Sequence, residues 1–303
     1  NLVQPTGLKA NISKADLAIT GLSAADKIYD ATTTATLSGT AAVTALGSDA
    51  VSVGGTGAGT FADKNVGTNK AVTVTGYTLS GTDAGNYNLV QPTGLTATIS
   101  QRTLNATLTA QNKIYDGNTA ASVSYGDDRI GQDALTITGT ATFNDKNAAT
   151  GKTVTANNLA LTGTDAGNYE LASTTATTQA DIDKATLTAT ITAQNKIYDG
   201  NTSASVSYGD DRIGQDVLVV SGTATFSDKN AATGKTVTAT GLALTGTDAG
   251  NYELASTTAT TQADIDKATL TATITAQNKI YDGNNSASVS YGDDRIGQDV
   301  LVV

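Results

Sequence analysis

The chain has no cysteine, histidine, tryptophan or methionine, and only two prolines and three phenylalanines. Each absence removes a chemistry. Without Cys or His there is no thiolate nucleophile, no imidazole base, no Cys/His zinc centre and no disulfide staple. Freedom from cysteine is silent on redox compartment, though it suits a long exported chain that must not cross-link while unfolded. Long apolar runs are missing too, and nothing approaches the roughly 20 residues of a spanning helix. The sequence opens at Asn1 without an initiator Met or a signal peptide, so an export signal or anchor is expected outside these residues. Acidic side chains outnumber basic ones, 28 to 18, for a net charge of −10. Nucleic acid and anionic membrane surfaces are therefore not expected as partners.

What is present is repetition. Lys-Ile-Tyr-Asp occurs four times, with its Tyr at Tyr29, Tyr115, Tyr198 and Tyr281. Gly-Thr-Asp-Ala-Gly-Asn-Tyr occurs three times, ending at Tyr87, Tyr169 and Tyr252. Phe61, Phe143 and Phe226 each open a Phe-x-Asp-Lys-Asn string, and Ile12, Ile99, Ile182 and Ile265 each stand five residues before a Leu. The period is about 83 residues, the mark of a tandem array. It divides the chain into a tail of a preceding module (1–14), three complete β modules (15–100, 101–183, 184–266) and a partial β module (267–303). Leu2–Gly7 recurs unchanged as Leu89–Gly94, and Ala172–Asn201 as Ala255–Asn284. Duplication of that kind suits a spacer whose length varies by recombination.

Within a module the apolar period is two. In Thr186–Ala193 the apolar side chains fall at Leu187, Ala189, Ile191 and Ala193, with Thr between them. Leu135, Ile137, Ala141 and Phe143 alternate likewise. This pattern predicts strands with one buried face and one Thr-covered wet face, and β-branched Thr and Val suit a pleated surface. One slip of phase recurs, between Val237/Ala239 and Leu242/Leu244 and at the matching places in the other modules. A β-bulge or a bend between sheets accounts for it. Tyr-Asp-Gly-Asn, Tyr-Gly-Asp-Asp and Asp-Ala-Gly-Asn supply turns. The expected fold is all-β: a tandem array of small antiparallel β-sandwich or β-grasp-like modules, beads on a string, with about six or seven strands each. A β-solenoid is disfavoured, because coils of about 20–30 residues leave no trace within the period. Each module has a thin core of a few aliphatics, two or three Tyr and one Phe. Such a unit is marginal alone, so neighbouring modules of the same chain are expected to contribute.

These motifs resemble the YDG-type repeats of large bacterial surface exoproteins, adhesins similar to filamentous haemagglutinin that are exported by two-partner secretion. The resemblance rests on Lys196-Ile-Tyr-Asp-Gly200, Phe226-x-Asp-Lys-Asn230 with Gly234-Lys235, and Leu244-Thr-Gly-Thr-Asp-Ala-Gly-Asn-Tyr252. It implies a bacterial cell-surface or biofilm-matrix location, adhesin stalk modules and no enzymatic activity. The first module departs from the pattern, with Ala31 where the others have Gly.

Among individual residues, Tyr115, Phe143, Tyr169, Tyr198, Phe226 and Tyr252 are expected to be structural, the tyrosines packed with their hydroxyls hydrogen-bonded. Asp127, Asp128 and Asp133 lie close together and recur as Asp210, Asp211 and Asp216 and as Asp293, Asp294 and Asp299. Oxygen-rich loops bind Ca²⁺, which makes these carboxylates calcium candidates. Against that, the spacing matches no EF-hand, and Arg129, Arg212 or Arg295 sits inside each cluster, which favours a solvated turn with local Asx bonds. Lys113, Lys196 and Lys279 before the Tyr, and Lys64, Lys146 and Lys229 after the Phe, read as exposed side chains. A Lys–Asn isopeptide bond is the rarer alternative. Asn11, Asn105, Asn201 and Asn284 match the N-glycosylation pattern, which arises often by accident in a chain this rich in Asn and Thr.

No cofactor and no catalytic residue is expected, since the same carboxylates recur on a turn of every module. The leading expectation is a structural stalk or spacer of a secreted or surface-attached bacterial adhesin or biofilm-matrix protein. One rival is a self-assembling filament, in which copies of the chain complement each other's sheets by strand addition. The other is a set of modules that bind surface polysaccharide, which the scarcity of aromatics disfavours.

Overall fold

A computed structural model describes residues 2–300. Among the described residues there is no α-helix. The helical turns are three 3-10 turns of three residues, at Ala84–Asn86, Ala166–Asn168 and Ala249–Asn251. Three tandem curled sheets correspond to the three complete repeats. By contact the chain divides into two compact units. One holds the described residues of Asn1–Ala110, Ser122–Thr142 and Val154–Thr178, and the other those of Gln111–Ala121, Phe143–Thr153 and Gln179–Val303.

The third complete repeat, within the second unit, shows how the pattern folds. Its strands are β1 (Ala185–Leu187), β2 (Ala189–Ala193), β3 (Lys196–Ile197), β4 (Val206–Asp210), β5 (Val219–Phe226), β6 (Ala232–Thr245), β7 (Tyr252–Leu254) and β8 (Ala259–Asp266). There are eight segments rather than six or seven, because two- and three-residue strands escape a periodicity search. The main sheet runs β3-β8-β6-β5, with β1 paired to β7 and β2 to β4. The sheets are mixed rather than wholly antiparallel. β1 pairs parallel with β7 and β3 parallel with β8, while β2–β4, β5–β6 and β6–β8 are antiparallel. A parallel partner cannot be joined by a tight turn, so both parallel pairs link opposite ends of the repeat.

β6 buries Val237, Ala239 and Leu242 and leaves the Thr side chains on the other face, as the alternation requires. The slip of phase is a bulge. Ser221 faces Ala243, but Thr223 faces Thr240, so Gly222 opposes two residues. Gly241 there has φ 63°, and Asn158, its counterpart in the middle repeat, φ 55°. Both residue types tolerate that left-handed conformation. Repeat one carries its own register shift between Gly55 and Ala58.

The core of the first unit answers how so thin a module is stabilised. One buried cluster holds Tyr29, Phe61, Val72 and Ile99 from the first repeat together with Leu104, Leu135, Ile137 and Tyr169 from the second. Consecutive repeats thus share apolar burial, which raises the fraction of surface removed from water above what 83 residues achieve alone.

Candidate functional site

Among the described residues, the buried polar side chains Asp133, Asn168, Asp216 and Asn251 lie at the joints between consecutive repeats. In the first unit, Lys27–Ile28 pairs parallel with Thr96–Ser100, and the Tyr29 amide donates to the Ser100 carbonyl at 2.9 Å. That strand end aims the Tyr29 ring forward into the next repeat. Its hydroxyl donates to Asp133 Oδ2 at 2.8 Å, and the Tyr169 hydroxyl donates to the same oxygen at 2.7 Å. The two rings meet edge to face, 5.4 Å between centroids. Lys64 Nζ reaches Asp133 Oδ1 at 2.6 Å and Asp165 at 3.1 Å, and lies 5.7 Å from the centre of the Tyr29 ring. The Val66 amide donates to Asn168 Oδ1 at 2.9 Å, and the Ile130 amide to the Tyr169 hydroxyl at 3.0 Å. Asp133 is buried, yet both its oxygens are filled, as a buried carboxylate requires.

The second unit repeats the device. Tyr115 and Tyr252 each donate to Asp216 Oδ2 at 2.7 Å, and Lys146 Nζ donates to Asp216 Oδ1 at 2.8 Å. The Ala148 amide donates to Asn251 Oδ1 at 2.8 Å. Farther on, Tyr198 and Lys229 meet Asp299 at 2.6 and 2.9 Å. In each case one repeat contributes Tyr and Lys, and the next contributes the acid.

The electrostatics follow from this geometry. Burial alone would raise the Asp133 and Asp216 carboxyls, but bonds from the Lys and the two Tyr more than offset it, and both stay below the ordinary value. Tyr169 and Tyr252 are pushed up to about 12, first by burial and then by the carboxylate they face. Lys64 and Lys146 are raised, chiefly by the hydrogen bond to the same carboxylate.

The calcium candidates are not gathered into one site. Asp127 is held by Arg129, whose Nε and Nη2 reach its two oxygens at 2.7 and 2.5 Å, and Asp210 by Arg212 in the same way. Asp128 accepts from the Asn105 amide at 2.8 Å and the Asn105 side chain at 2.7 Å, and Asp211 accepts from the Thr188 amide at 2.7 Å. Asp133 and Asp216 belong to the joints. Among the described residues no group of three or more acidic side chains is placed to hold a metal. The solvated-turn expectation also needs correction at Asp133 and Asp216, which a neighbouring repeat covers, and at Asp127 and Asp210, whose carboxyls are buried against the Arg of their own loop.

The aromatic candidates Tyr115, Phe143, Tyr169, Phe226 and Tyr252 are buried, and Tyr198 is half-buried. Lysines expected to be merely exposed have partners. Lys113 Nζ binds Asp116 at 2.7 Å and the Asn118 and Ala120 carbonyls at 3.0 and 3.1 Å, closing the Tyr-Asp-Gly turn. It also lies 5.7 Å from the Phe143 ring centre. Its Nζ stands 3.1 Å from Asn118 Oδ1, the pairing an isopeptide bond would need. The neighbouring Asp116 is half-exposed and held below its ordinary value, with burial opposed by the Lys113 bond, so no neutral acid is at hand to assist one. The Phe-x-Asp-Lys-Asn string has a structural reading too. Asp228 accepts from the Asn230 amide and from buried Lys235, both at 2.7 Å, leaving Lys229 to extend to the joint.

Sequence reasoning missed Asn168 and Asn251, Asp165 and its counterpart Asp248, which stands 3.5 Å from Lys146 Nζ, and the pairing of Lys64 and Lys146 with an acid. The signal existed in the constant spacing of Tyr, Lys and Asp. Tyr115 and Asp216 are 101 residues apart, as are Tyr198 and Asp299.

A family model, the YDG domain, matches residues 13–94, 100–177 and 183–260. No curated protein matches the chain. The three matched segments follow the three repeats, and each carries residues of the joints just described. The chain belongs to the YDG domain family, as a tandem array of its domains.

Proposed function

We infer that these repeats serve as the structural spacer of a secreted or surface-attached bacterial adhesin or biofilm-matrix protein, similar to the filamentous haemagglutinin-like exoproteins of two-partner secretion. The observation that carries this reading is the joint itself. Each repeat sends a Tyr and a Lys into the next repeat, so stability is transmitted by nearest neighbours, as in other repeat arrays. The joints also absorb the aromatic rings that a glycan platform would have to expose. Tyr29, Tyr115, Tyr169 and Tyr252 are buried, which favours the spacer over the polysaccharide-binding alternative.

The test is replacement. In the surface protein that carries them, these repeats would be exchanged for an unrelated domain array of matched length, and adhesion measured against arrays of fewer units. Adhesion that follows length and ignores sequence is the expected result. Adhesion abolished by the exchange at equal length would mean that the repeats themselves bind the ligand.

A further inference from the structure

The two parallel strand pairs decide how a repeat answers to being pulled. In the third complete repeat the chain enters at Lys184, directly before β1, and leaves after Asp266, the last residue of β8. β1 pairs parallel with β7, and the Ala255 amide extends that pair by donating to the Leu187 carbonyl at 2.9 Å. β8 pairs parallel with β3 over Ile265 and Asp266, and the Tyr198 amide extends this pair by donating to the Asp266 carbonyl at 2.8 Å. The first strand is thus fastened to a late one, and the last strand to an early one. The other complete repeats do the same. Ala15–Ala18 pairs parallel with Tyr87–Val90, and Lys27–Ile28 with Ile99 and Ser100. Arg102–Leu104 pairs parallel with Tyr169–Leu171, and Lys113–Ile114 with Ile182 and Asp183.

Backbone bonds of a sheet run across its strands. Strands dragged past one another along their length load those bonds together, whereas strands peeled from one end break them one at a time. In a parallel pair the two N-terminal ends lie side by side. Tension along the chain therefore draws β1 backward by its N-terminal end and β8 forward by its C-terminal end, and each slides along its partner. An antiparallel hairpin such as β5–β6 is the opposite case, since Val219 and Thr245 face each other at its open end. The fastened strands are also dry. Leu187 is 0% exposed and Ile265 2%, so water has little access to the bonds under strain. Lys196 anchors the short β3, through Asp199 at 2.7 Å and the Asn201 and Ser203 carbonyls at 3.0 and 3.1 Å.

We propose that these paired strands form a mechanical clamp, through which tension along the array loads each repeat in shear. Forced unfolding follows the height of the barrier rather than the equilibrium free energy. A repeat with a thin core and modest stability can therefore still hold under load. A clamp of this kind is a property of the fold, and it holds whether or not the array is a spacer.

The chain has no native cysteine, so force can be applied at chosen points of the full-length chain. With single-molecule handles on Lys184→Cys and Lys267→Cys, the third repeat is pulled as the array would pull it. With handles on Val219→Cys and Thr245→Cys, the same repeat is peeled at β5–β6. All of these positions are exposed. At equal loading rate the first geometry should need about twofold or more the rupture force of the second, because its bonds break together. It should also yield in one step, releasing about 270–300 Å of chain at ~3.3–3.6 Å per residue. Ala255→Pro removes one clamp bond at an exposed position, so it should lower the first force and leave the second unchanged. Equal forces in the two geometries, a first force that Ala255→Pro leaves untouched, or gradual yielding without a single step would each overturn the proposal.

Discussion

Asp216 is where the largest single-residue effects belong. Removing its carboxylate takes the acceptor from two tyrosine hydroxyls and leaves Lys146 with only Asp248, 3.5 Å away. Breaking a buried ion pair costs about 3–5 kcal/mol, and the partial exposure of Lys146 reduces that, so Asp216→Ala should destabilise by about 2–4 kcal/mol. Asp211→Ala gives up one bond to the Thr188 amide at an exposed position, which amounts to about 1 kcal/mol or less. Urea unfolding of the two variants side by side measures the contrast. Equal midpoints would mean that the joint contributes nothing. Tyr115→Phe keeps the ring contact with Tyr252 and loses only the hydroxyl, a change of about 1 kcal/mol.

At the scale of the element, the Tyr-Asp-Gly turn and the acidic loop explain why the motif has its residues. Gly117 has φ 79°, and a Cβ there would sit 3.3 Å from Ile213 of the next repeat. Both the backbone and the neighbour therefore favour glycine. Gly117→Ala should destabilise by about 1–2 kcal/mol, the cost of a side chain in the left-handed region. Ala31 already bears that conformation, with φ 63°, so the turn is retained in the first repeat despite the substitution. Ala31→Gly should raise the thermal midpoint, and a lowered midpoint would contradict this account. The acidic loop is held by Arg129 and by backbone amides that already occupy the carboxylate oxygens, so millimolar Ca²⁺ or EDTA should leave thermal unfolding unchanged. A calcium-dependent rise of many degrees would restore Asp127, Asp128 and Asp133 as ligands.

For the molecule as a whole, the joints contribute to the dependence of stability on pH, alongside other paired carboxylates such as Asp127 and Asp210 that are also held below their ordinary value by their Arg partners. Asp133 and Asp216 lie below the ordinary carboxyl value when folded. Their contribution is present above the unfolded value of about 4 and is lost as pH falls through the folded one. The tyrosines act at the other limb. Tyr169 and Tyr252 are raised to about 12, so their contribution is full below about pH 10 and is lost as pH rises toward the folded value. Lys64 and Lys146, also raised, lose theirs in the same direction. Urea midpoints across pH should form a plateau with two falling limbs, and Asp216→Asn should flatten the acid limb. An unchanged acid limb in that variant would place the sensitivity elsewhere.

The sequence by itself determined the repeat, its period, the all-β class and the place where the apolar phase slips, because each is written locally. That the slip is a bulge rather than a bend between sheets came from the strand register. Alternating Val, Leu and Thr set which face of a strand is buried, and a slip such as Val237/Ala239 to Leu242/Leu244 marks a break in the alternation without knowledge of the partner strand. The burial of Phe226 and Tyr252 was legible for the same reason, as both end or begin an apolar alternation. Tertiary structure alone decided the joint. Asp127, Asp128 and Asp133 look alike along the chain, and nothing local distinguishes the one that the preceding repeat covers. Asp133 differs because the path of the backbone brings Tyr29 and Lys64 of the preceding repeat against it. Such a pairing spans about one repeat length of chain. Hydrogen-bonding partners that far apart are chosen by how the strands stack, not by the residues between them.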